Sequence, residues 1–259
     1  MTSSTIKYLI GAICSTPLLP IMYLDAKRLR KNIPDLPEAT GFEGIAKYGV
    51  DNQFKLILMG ESTMAGVGVN TNEEGFAGNL AKELAQQLKQ TIHWNVYAKS
   101  GYNARKVATE IFPTIKENKA DMVVIGIGAN DAFELNSPNR WRKDVLALID
   151  KVQSKFPNTP IYFTNMPPVK SFPVLSTVLQ STVGTLAELL ETELIDIVNN
   201  QQSIFYDTQK FTAEKWQERH QVTIPTEEFF SDGVHPSKLA YQLWAKDFAA
   251  FIMEKGEKK

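Results

Sequence analysis

Apolar residues along this chain follow two alternating patterns. Short, nearly unbroken runs occur as FKLILM at 54–59, HWNVYA at 93–98, DMVVIGIG at 121–128, PIYFTNMP at 160–167 and SIFYD at 203–207. Their length and β-branched, aromatic content predict strands buried on both faces of a sheet. Between them the period lengthens: within 74–90, Phe76, Leu80, Leu84 and Leu88 recur every four residues, the spacing of one helix face. Further helices are expected at about 104–116, 140–156 and 175–199, with an amphipathic one from 237 to about 255 entered through Pro236. This alternation predicts an α/β domain, a three-layer α/β/α sandwich with a mainly parallel sheet of about five strands. Ligands in such sheets gather beyond the carboxyl ends of the strands.

The N-terminus follows neither pattern. Residues 8–24, YLIGAICSTPLLPIMYL, are almost without charge and about long enough to cross a thin bilayer, although Pro17 and Pro20 interrupt them. Lys27, Arg28, Arg30 and Lys31 follow at once, and basic flanks of this kind stay on the cytoplasmic side. Residues 1–31 are therefore expected to be a membrane anchor or a helix lying on the membrane, with the body in the cytoplasm. Residues 32–50, bearing prolines and glycines, read as a linker that wraps onto the body, and 51–259 as the main folded domain. Two other readings stay open. One is a cleaved signal on an exported or periplasmic protein, although only Lys7 precedes the apolar run, no A-x-A site follows it, and Ile13 before Cys14 spoils a lipoprotein site. The other is an apolar helix packed on the domain.

Composition removes several function classes. The formal net charge is -1 and the body has no basic stripe, so nucleic acid is not an expected partner. The one cysteine, Cys14, lies in the apolar segment, and His93, His220 and His235 are far apart without an HExxH pairing. Neither a disulfide nor a metal is expected, and no cofactor. GIGAND at 126–131 begins a G-x-G but does not complete G-x-G-x-x-G, and no Gly-Lys-Ser/Thr loop occurs. The segment 60–64 also lacks the second glycine of a G-x-S-x-G elbow.

Four segments fall where a site should form: GESTMAGVG (60–68), KSGYN (99–103), GIGAND (126–131) and FFSDGVHPSK (229–238). Acyl transfer through serine needs a hydroxyl, a base, a carboxylate to orient it, and hydrogen-bond donors aimed at the oxyanion. Ser62 follows a buried strand and is placed to begin a helical turn. Asp232 stands three residues before His235, near enough to bond Nδ1 and leave Nε2 for Ser62. Asn130 offers a side-chain amide at a strand end. Each alone is more often a cap or turn residue; it is their combination that points to catalysis.

In order and position these blocks resemble the SGNH, or GDSL-type, hydrolases, over roughly residues 54–250. The resemblance implies a flavodoxin-like sandwich, Ser62 as nucleophile, Asp232 and His235 completing the triad, and an oxyanion hole of the Ser62 and Gly101 N–H groups with the Asn130 amide. It departs from the family at Glu61, where an aspartate is usual. The activity implied is hydrolysis of carboxylic esters. The apolar segment 166–180, with Val169, Phe172 and Leu175, reads either as an acyl-binding wall or as ordinary core; as a wall, and with the N-terminal segment, it favours a lipid or fatty-acyl ester substrate. Transfer of the acyl group to an alcohol or amine, removal of O-acetyl groups from carbohydrate, and a silent anchored binding module are the other readings. Oligomeric state is not written in the sequence.

Overall fold

The computed structural model describes residues 3–256 apart from 33, 50–52 and 211. The chain opens with two helices, α1 (Ser3–Ser15) and α2 (Leu19–Asn32), joined by a 3₁₀ turn, Thr16–Leu18, that holds Pro17 in its first positions. Then follow β1 (Glu43–Ala46), β2 (Gln53–Gly60), α3 (Phe76–Leu88) and β3 (Thr91–Ala98). A helical stretch starts as α4 (Ala104–Lys106) and widens into a π turn at Val107–Ile111. The remainder is β4 (Met122–Gly126), α5 (Ala129–Phe133), α6 (Pro138–Lys155), β5 (Ile161–Phe163), α7 (Thr177–Asn199), β6 (Ile204–Tyr206), α8 (Ala213–His220) and α9 (Lys238–Gly256).

The strands form one sheet in the order β1-β3-β2-β4-β5-β6, and every neighbouring pair is parallel except β1 with β3. The sheet thus has six strands where the sequence pattern predicts about five. The extra one is β1, inside the segment expected to be linker: Glu43 pairs with Asn95 and Ala46 with Ile92 along the edge. The central strand β2 shows why both faces must be covered. Ile57 and Met59 join the apolar core packed under α6 and α7, while Leu56 and Leu58 join the one under α3 and α9. Helices on both faces complete the α/β/α sandwich.

From β2 the chain moves outward through α3 to β3, then crosses to β4 on the other side of β2. The reversal opens a crevice at the carboxyl ends of β2 and β4. Gly60, the last residue of β2, leads straight into Glu61 and Ser62.

Candidate active site

Ser62 lies two residues past β2 in a run of turns, and the next helix starts only at Phe76. Bonds from the Met64 and Ala65 N–H groups to the Glu61 carbonyl, each 3.0 Å, and from Val67 N–H to the Ser62 carbonyl at 3.1 Å curl the segment tightly. The Ser62 N–H has no acceptor among the described residues. From the opposite layer, the buried Tyr241 hydroxyl of α9 donates to the Val67 carbonyl at 2.8 Å.

The loop carrying Asp232 and His235 is just as constrained. Ser231 N–H bonds the His235 carbonyl at 2.8 Å and Ser237 N–H the Phe229 carbonyl at 2.9 Å, closing a narrow loop before α9. Within it, Asp232 Oδ2 stands 2.7 Å from His235 Nδ1, and Asp232 Oδ1 accepts the Val234 and His235 backbone N–H groups at 2.9 and 2.8 Å. Burial pushes the Asp232 carboxyl up, but these bonds and the facing imidazole outweigh it and hold the group below its ordinary range. The two loops touch at Gly68, whose carbonyl accepts from Ser231 Oγ at 3.0 Å. A Cβ at Gly68 would lie 2.5 Å from the Pro236 carbonyl oxygen, so only glycine permits this approach.

On the other side of Ser62 lie the segments that carry Gly101 and Asn130, neither of which lines the cavity shared by Ser62 and His235. Lys99 N–H bonds the Gly60 carbonyl at 3.2 Å, bringing the 99–103 loop alongside. Gly101, at φ 77°, has its N–H without an acceptor among the described residues. Asn130 lies in the first turn of α5, and its amide donates to Glu61 Oε2 at 2.7 Å and to the Tyr102 carbonyl at 3.1 Å. Glu61 itself is 1% exposed. It also accepts the Ala129 N–H at 2.9 Å and the Asn130 N–H at 3.0 Å, so one carboxylate caps α5 and fixes the Asn130 side chain. Burial raises the Glu61 carboxyl to about 7 despite those bonds. Next to it, Asp131 accepts from Ala104 N–H and from Asn136, each at 2.8 Å, and burial lifts it to about 6.

Ser62 and His235 line one cavity of about 240 Å³. No hydrogen bond joins their side chains among the described residues, a looseness common in unliganded catalytic pairs. The cavity wall is mostly apolar and includes Met166, Phe172, Trp216, Phe229, Phe230 and Trp244. Of the three expected acyl-wall residues, Phe172 is on it, packed edge-on against Phe230 with ring centroids 6.0 Å apart. Val169 and Leu175 are not. The short helix Val169–Ser171 turns the chain, so Val169 faces a separate cleft against α7 and Leu175 one shared with Asp25 and Asp232. The sequence reading passes over Trp216, Phe229 and Trp244. The density of aromatic residues from 205 to 230, just before the Asp232 loop, is the signal that could have drawn attention to that wall.

A six-strand, mostly parallel sheet between helices, with serine, glycine, asparagine and histidine at its carboxyl edge, defines an SGNH-type hydrolase architecture. Solved structures share that fold. A lipase from a goat-rumen metagenome is 18% identical, with a TM-score of 0.54 over 76% of this chain and 96% of its own. A lipase/acylhydrolase from Enterococcus faecalis is 18% identical, with a TM-score of 0.53 over 78% of this chain and 96% of that one. A family 3 carbohydrate esterase from Clostridium thermocellum is 16% identical, with a TM-score of 0.55 over 78% and 99%. A comparison with curated protein sequences finds no significant match. The profile of the GDSL-like lipase/acylhydrolase family matches residues 58–243, and the chain belongs to that family, whose members are ester-hydrolysing enzymes.

Proposed function

We propose that this protein hydrolyses fatty-acyl carboxylic esters through an acyl-enzyme on Ser62. The observation that carries the reading is that Ser62 and His235, with Asp232 held 2.7 Å from the imidazole, face one largely apolar cavity. His235 Nε2 takes the Ser62 proton as the serine oxygen bonds the ester carbonyl carbon. The resulting oxyanion is met by the Ser62 and Gly101 N–H groups, both uncommitted. The Asn130 amide joins them by sharing the hydrogen on the Tyr102 carbonyl, the longer of its two bonds. Collapse expels the alcohol, which takes the proton from His235. Water then adds to the acyl carbon, giving its proton to His235, and Ser62 leaves with that proton as the acid departs. Asp232 remains ionised throughout, keeping Nδ1 protonated and Nε2 basic.

The largely apolar wall of aromatic rings and the Met166 thioether favours an aliphatic acyl chain. The apolar residues 8–24 and the basic cluster after them place the enzyme on the cytoplasmic face of a membrane in this reading, where such esters are concentrated. The test is turnover of p-nitrophenyl esters from acetate to palmitate by the full-length protein and its Ser62→Ala variant. We expect the variant to lose at least about 10³-fold, with an optimum at chains longer than acetate. Equal rates from both proteins would overturn the assignment.

A further inference from the structure

Ser3–Leu29 is long and apolar enough to cross a membrane by length and composition, yet both of its ends are bonded to the catalytic domain. Near the start, Thr5 Oγ1 donates to Asn139 Oδ1 at 2.8 Å, and Tyr8 Oη to the Leu135 carbonyl at 3.2 Å. Near the end, Ser176 Oγ donates to Asp25 Oδ2 at 2.6 Å. Between these points the residues shielded from solvent are Tyr8, Ser15, Leu18, Met22 and Asp25. Their spacings of seven, three, four and three describe one face of a helix. That stripe lies over α6 and α7 in α1 and over α7 in α2, with a groove of about 520 Å³ along it that Tyr8, Ser15, Leu18 and Met22 help to line.

The opposite face holds half of the exposed large apolar side chains among the described residues. Ile6, Leu9, Ile10, Ile13, Ile21 and Leu24 are all exposed, and Ile13 is 73% so. A soluble protein seldom leaves so continuous an apolar face uncovered. The exposed charges that flank it, Lys7, Lys27, Arg28 and Lys31, are all basic, while the only carboxylate in the segment, Asp25, is turned inward to Ser176. Apolar face and basic margins together complement the surface of an anionic bilayer.

We infer that this helix is an in-plane membrane anchor: it stays docked on α6 and α7 and buries its outer face in one leaflet of an anionic bilayer without crossing it. A crossing segment needs a hydrocarbon layer about 30 Å thick between its two ends, whereas here both ends rest on the same polar domain. The inference refines the membrane placement proposed above and is independent of the chemistry at Ser62.

Cys14, the chain's one cysteine, lines the groove against α7, so a label at the exposed Ile13, on the outer face, distinguishes the two geometries. The experiment labels full-length protein carrying Ile13→Cys and Cys14→Ser with bimane, mixes it with phosphatidylcholine vesicles containing about one-third phosphatidylglycerol, and compares quenching by lipids carrying a quencher near the headgroup or at the chain end. Stronger shallow quenching is expected. Stronger deep quenching would mean a crossing helix and would overturn the inference, as would failure of the unlabelled protein to float with the vesicles. Ile13→Asp, at an exposed position, should weaken flotation about tenfold without loss of the fold; unchanged flotation would count equally against it. The same measurements on Ser62→Ala should match wild type, so an error in the catalytic reading leaves this result untouched.

Discussion

Glu61 takes hydrogen bonds from three donors, all of them on Ala129 and Asn130. A glutamine there would turn an N–H toward donors. Glu61→Gln should therefore release the Asn130 amide and lower kcat for ester hydrolysis about tenfold, with little change in KM, as steady-state kinetics would reveal. Asn130→Ala should cost about 10² to 10³ in kcat if its amide meets the oxyanion; an unchanged kcat would remove it from that role. The triad candidates and the oxyanion candidates were legible as residue types at strand ends. What Glu61 does was not. In the sequence it stands only as a departure from the usual aspartate, because the partner that explains it, the start of α5, is 68 residues away and depends on β2 and β4 lying side by side.

The elements that pattern reading missed share a physical cause. In β1, Glu43 and Ile45 are exposed, and an edge strand covered on one side gives too short an alternation to stand out among prolines and glycines. The sequence of α8, AEKWQERH, has a single large apolar residue, so no stripe announces it. Tertiary contacts hold α8 in place: Asp247 of α9 pairs with Arg219 and lies 3.0 Å from His220 Nε2. Asp247→Ala should cost about 1–2 kcal/mol in denaturant titration, since Arg219 remains partly solvated. It should also raise KM for long-chain esters more than for acetate, because Trp216 of α8 lines the cavity and packs on Phe229, centroids 5.6 Å apart. Gly233 tests the Asp232–His235 loop. It has φ 85°, and a Cβ there would lie 2.1 Å from Val174 Cγ1. Gly233→Ala should lower both Tm and kcat, a joint loss visible in a melting curve and an activity assay on the same preparation.

For the whole molecule, buried carboxylates set the response to pH. Glu61 rises from 4.5 to about 7 and Asp131 from 3.8 to about 6 on folding. Both therefore bind protons more tightly when folded. Their contribution to stability is complete below the unfolded values and is lost as pH rises through about 6 and then about 7. Asp232, held below its ordinary range, acts oppositely: its contribution is present above 3.8 and is lost as pH falls through the folded value. Tm measured between pH 5 and 8 should fall with rising pH, and Glu61→Gln should flatten the portion near 7.

The edge strand β1 also sets a limit on motion. Through its pairing with β3 it moors the chain to the sheet at Glu43. The chain ahead of β1 is itself bonded to the domain, the Ala39 and Thr40 N–H groups reaching the Ala65 and Asn70 carbonyls at 3.0 Å each, so only residues 33–38 lie between the mooring and the end of α2, and a fully stretched chain of that length spans about 20 Å. Were thermal motion to lift the N-terminal helix from α6 and α7, it would remain on this leash. The domain would stay within about 20 Å of the leaflet that holds the helix, in the zone where the fatty acid of the proposed reaction would re-enter lipid before it met bulk water.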